Sequence, residues 1–134
     1  MTILLTIGIA FGSVANGRAI GPATARRLVR QALIAVNQEA PSVRVEPLRY
    51  DYAPEFYAFA ATWPNSDGDP LIGYFAVNPW TGDVWDINAC KRISSPALRR
   101  EQEAIWKHSK LMPEAEKVLH ERSPACSGDP KMRK

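Results

Sequence analysis

The residues of this chain equipped for chemistry are few: two histidines, two cysteines and one short run of oxygen-bearing side chains. His108 and His120 each fall among charged neighbours in segments of helical spacing. As a pair they would suit a metal, and singly a general base; a solvated surface position is the commoner reading of each. Neither a Gly-x-Ser-x-Gly elbow nor a His-Glu-x-x-His zinc pattern occurs. Cys90 and Cys126 do not form a Cys-x-x-Cys pair, which leaves thiol redox or zinc chemistry without support. A Cys126–His120 nucleophile pair would have to compete with a Cys90–Cys126 disulfide. The run Asn65-Ser66-Asp67-Gly68-Asp69 spaces oxygen ligands as a calcium loop does. Its glycine is misplaced, however, and no bidentate Glu follows, so it reads as a hairpin loop. No catalytic residue, metal or cofactor is expected.

The tryptophans carry more information. Of the four, Trp63 and Trp106 fall on apolar faces and are expected in the core. Trp80 lies inside a turn, between Pro79 and Thr81, where a rigid aromatic side chain makes a good anchor for a protein partner. The candidate binding surface is therefore Trp80 with Asp83 and Asp86, joined by Asn65, Asp67 and Asp69 of the polar loop. Cys90 and Cys126 are the candidate disulfide.

These residues need elements to hold them. Pro22 suits the first turn of a helix. From there to residue 39, Ala25, Leu28, Val29, Ala32, Leu33 and Val36 recur at three-and-four spacing, with Arg26, Arg27 and Arg30 on the opposite side. Pro41 is expected to stop this helix. Residues 42–87 alternate as strands: Ser42–Tyr50, with Pro47 marking an edge or bulge, then Glu55–Trp63, Leu71–Val77 and Asp83–Ile87. Short loops between them make a four-stranded antiparallel meander, and the helix over one face makes an α+β domain. Residues 95–122 turn helical again, entered through Ser94, Ser95 and Pro96 and restarted at Pro113.

The ends of the chain differ from its middle. Residues 1–17 carry no charge and contain an apolar run closing on Ser13-Val14-Ala15, the small-x-small pattern of a signal-peptidase site. That run is shorter than the ~20 residues a membrane-spanning helix needs. An exported chain with an even cysteine count favours one disulfide over two free thiols, closing a loop of roughly 35 residues and stabilising by about 3–4 kcal/mol. The domain then spans 18–122, with a polar tail, 123–134, tethered by Cys126. The net charge of +3 is spread along the chain. Without a basic patch interleaved with aromatics, nucleic acid is not the expected partner; nor is stable membrane insertion expected once the leader is removed.

The string Val77-Asn78-Pro79-Trp80-Thr81-Gly82-Asp83-Val84, following a helix and a meander, resembles the hairpin signature of the PepSY domain. The resemblance spans about Ala23 to Ile87. It departs from the family pattern at Asn78, where Asp is usual, in the extra Trp80 and Trp85, and in the cysteine-tethered tail. It implies an extracytoplasmic module of the kind found in thermolysin-type propeptides and envelope proteins, which restrain peptidases or bind proteins. Size, export, disulfide and α+β build also resemble small periplasmic immunity proteins, which neutralise a toxin delivered by a rival cell. The function expected is a non-enzymatic binding or inhibitory protein of the periplasm or secreted fraction, its partner a peptidase or a toxin. The alternative is a small envelope hydrolase or ligand-binding protein with a helix–sheet pocket and His108 or His120 as base.

Overall fold

A computed structural model of the chain describes residues 18–64, 70–109 and 113–126. Residues 1–17, expected above to be a leader, the Asn65–Asp69 loop and the tail beyond Cys126 lie outside the described residues. Helix α1 runs Pro22–Ala35, with Gly21 extended at its N-cap and Pro22 in the first turn, where the missing N–H costs nothing. It ends earlier than the expected residue 39. Asn37 adopts the left-handed conformation, φ 57°. Gln38 N–H then donates to Leu33 O (2.8 Å) and Asn37 N–H to Ile34 O (3.0 Å), the Schellman closure that satisfies the last carbonyls. The stop is therefore made by Asn37 rather than by Pro41.

Five strands follow: β1 Arg44–Pro47, β2 Tyr57–Thr62, β3 Leu71–Val77, β4 Val84–Asp86 and β5 Lys91–Ile93. They form one antiparallel meander in chain order. The α+β class is as expected, and the sheet gains a fifth strand beyond the four. Cys90, at φ 52°, closes the turn that folds Lys91–Ile93 back onto β4. The β2–β3 register slips by one between Ala61 and Thr62, leaving Ile72 as the extra residue of a bulge. The helical extension is two helices, α2 Pro96–Ser109 and α3 Pro113–His120.

Pleating sends Tyr57, Phe59 and Ala61 to the α1 side of the sheet, with Phe75, Val77 and Val84. There they meet Ala25, Leu28, Val29, Ala32 and Leu33, all fully buried, and Leu98 from α2. Two alanines among the five inward residues of α1 let the helix lie close to the sheet. Truncating Leu28 or Leu33 to Ala would cost about 2–5 kcal/mol. The opposite face carries a smaller cluster, Ala53, Phe56 and Ala76, flanked by Tyr50, Trp85, Ile87 and Ala125. Tyr50 O–H reaches Ala125 O at 3.5 Å. Burial pushes this phenol above its ordinary value, and Tyr52 adds to the rise. No helix of the described residues is long and apolar enough to cross a membrane.

Candidate functional site

The β3–β4 connection, Asn78 to Asp83, is held by its own polar side chains. Asn78 Oδ1 accepts from the N–H groups of Trp80 (2.9 Å) and Thr81 (3.2 Å). Its backbone closes the turn: Asn78 N–H donates to Asp83 O, and Gly82 N–H donates to Asn78 O. Thr81 Oγ1 donates to Asp83 Oδ2 (2.8 Å) and accepts from Asp83 N–H. Gly82 sits at φ +75°, and a Cβ there would stand 2.9 Å from Ile105 Cδ1 and 3.2 Å from Leu28 Cδ1. Both the backbone angle and the close approach of two helices demand glycine.

Neighbouring elements converge on this turn. Ala19 and Ile20 donate their N–H groups to Pro79 O. From α2, Gln102 Nε2 donates to Gly82 O (3.0 Å) and Trp106 Nε1 to Thr81 O (2.6 Å). From α3, Leu119 O accepts from Asn78 Nδ2 (2.9 Å). His120 Nδ1 lies 2.7 Å from Asp83 Oδ2, and its ring meets Trp106 edge-on at 4.4 Å. Arg92 donates to His120 O and stands 3.7 Å from Asp83 Oδ2. Helix α3 buries no side chain. It is fastened by these polar contacts and by the Cys90–Cys126 disulfide, which bridges backbones 5.5 Å apart at Cα. Cys126 itself is buried.

The residues singled out from sequence are distributed as follows. Trp80 is half-buried, with the Arg122 guanidinium 5.4 Å from its ring centroid. Asp83 points inward, 3% exposed, and serves the turn. Asp86 accepts from Ala89 N–H and lines a separate groove. Asn65, Asp67 and Asp69 lie outside the described residues. The strand ends flanking them, Thr62 and Leu71, are at the far end of β3 from Asn78, about 20 Å away at ~3.3 Å per residue. The Trp80 turn and the strand ends at Thr62 and Leu71 thus lie at opposite ends of β3. Trp63 packs half-buried against the main core, and Trp106, also half-buried, uses its N–H on the turn.

His108 is exposed on α2 at the mouth of a shallow hollow with Glu101 and Ser109. His120 is the better placed of the two histidines. It lines a cleft of about 600 Å³ with Asp83, Arg92, Ser94, Arg99, Gln102 and Trp106. Its second nitrogen faces Glu116 at 3.7 Å, so carboxylates bracket the ring on both sides. That arrangement clasps α3 to the hairpin. The clasp had no local signal in the sequence, because its partners lie 37 residues apart. Asn78 and Thr81 were legible only as turn formers, by the habit of Asn and Thr to bond nearby backbone.

No family model matches the chain, so the PepSY resemblance rests on the hairpin string alone. No curated protein matches it in sequence either. Among solved structures, it is similar to a chain in the structure of a type VI secretion system effector–immunity complex from Pseudomonas protegens. The TM-score is 0.63 at 25% identity, over 79% of this chain and 89% of that one.

Proposed function

We propose that this chain is a non-enzymatic, extracytoplasmic binding protein of the immunity type, which neutralises a secreted toxin by forming a complex with it. The observation that carries this reading is the likeness to nearly the whole of a chain held in an effector–immunity complex. It favours a toxin over a peptidase as partner. The disulfide supports an oxidising compartment. His120, through Asp83, and Leu119, through Asn78, hold α3 on the hairpin, a structural use of this corner.

The test uses the oxidised protein from Arg18 onward as bait against secreted and envelope fractions. One polypeptide retained in near-equimolar amount is the expected result. Exported alone into the periplasm of a bacterial host, that polypeptide should stop growth; exported together with this chain, it should be harmless. A toxin that kills equally well with and without this chain would overturn the proposal.

A further inference from the structure

The surface has a second feature that the hairpin does not use. Because α1 ends at Ala35, part of the sheet's helix face beyond it is left as a groove of about 530 Å³, within the size range of binding clefts. Its floor is apolar: Trp63, Leu71, Ile72, Phe75 and Ile93. At its lip Val36, 44% exposed, extends the apolar surface outward. The opposite lip is the edge strand β5, which also borders the polar cleft; a smaller hollow at the start of α2 adjoins both at Ser94, just past the strand. Around this ridge Lys91, Arg92, Arg99 and Arg100 outnumber the carboxylates Asp86 and Glu103. Asp83, the remaining carboxylate, is buried beneath His120 and Arg92.

We infer that this groove and the β5 ridge are the docking surface for the protein partner, and that the occupant is a partner segment presenting an apolar side chain flanked by carboxylates. An apolar floor inside a charged rim is the anatomy of a recognition site. The net positive charge of this ridge, Lys91, Arg92, Arg99 and Arg100 against Asp86 and Glu103, favours acidic flanks over basic ones. The short, cationic β5 edge resists pairing with a second copy of itself. The inference rests on the protein-binding function proposed above and names its surface.

The closing experiment has two arms. In the first, the labelled, oxidised protein is titrated by NMR with acetyl-Glu-Phe-Glu-amide and with acetyl-Lys-Phe-Lys-amide. Saturable shifts confined to Val36, Leu71, Ile72, Lys91 and Ile93, several-fold weaker for the lysine peptide, are expected. Shifts that are absent, scattered or equal for the two peptides overturn the surface. In the second arm the captured partner is bound to Val36→Glu, Lys91→Glu and, as a charge-reversal control, Arg49→Glu. All three side chains are exposed, so the fold is retained. The first two should raise Kd about tenfold or more, a loss of ~1.4 kcal/mol each, and the control should leave it within about twofold. The Lys91 effect should shrink as salt rises. Wild-type affinity in both groove variants overturns this surface while the immunity function stands. Failure of the wild type to retain any partner removes the immunity function, and the peptide arm still decides the groove.

Discussion

Asn78 uses both ends of its side-chain amide. Its oxygen shapes the turn, and its amide nitrogen, which a carboxylate lacks, reaches Leu119 O. Asn78→Asp keeps the first role and sets a buried oxygen against a carbonyl oxygen. Stability should fall by about 1–3 kcal/mol, with faster hydrogen exchange concentrated in residues 113–126. Chemical denaturation and exchange mass spectrometry measure both. Gly82→Ala meets a left-handed backbone and a crowded Cβ position together, and should cost about 2 kcal/mol or more. Tyr50 offers a test by pH. Its folded phenol holds its proton more tightly than the ordinary 10.0, so above that pH the native state binds more protons than the unfolded one. Stability must then fall as pH rises through this window. Tyr50→Phe should flatten that part of the profile. At this scale the sequence was legible where a residue type is tied to its own backbone, as with Gly82. It was silent where the meaning lies across the chain, as with Asn78 and His120.

Helix α3 is an element held without a fully buried side chain. The main core takes its residues from the lead-in before α1, from α1, the sheet, α2 and the connections beside them, and residues 113–126 contribute only Ala125, at the edge of the smaller cluster, with Pro124 and Cys126 buried beside the disulfide. Opening of the Cys90–Cys126 bridge should therefore release α3 and the segment to Cys126 while α1 and β1–β4 stay folded. Reductant, or Cys90→Ala with Cys126→Ala, should abolish exchange protection in 113–126 and lower the global stability by up to about 4 kcal/mol. Protection in β2 and β3 should survive, whereas its collapse would place α3 inside the folding unit. The helices announced themselves through Pro22, Pro96 and Pro113 at their first turns. Strand β5 did not. Lys91-Arg92-Ile93 is too short and too charged to show alternation, and it pairs only because the Cys90 turn delivers it to β4.

At the scale of the molecule, the α+β class followed from one amphipathic helix ahead of alternating strands, a pattern with few packed solutions. The candidate surface was not legible in the same way. It arises where α1 stops, and a left-handed Asn37 set that stop. One feature has a topological reach of its own. The six-residue turn 78–83 receives Ala19 and Ile20 from one end of the domain and Leu119 and His120 from the other. Residues 19–20 and 119–120 are thus pinned to a common clasp, and the stretch between them is a ring in all but its covalent closure. Where the ring is cut should matter little. A permutant that joins the two ends by a short flexible linker and opens instead beside Tyr52, which is 74% exposed between β1 and β2, should fold to the same sheet with the same turn at its centre.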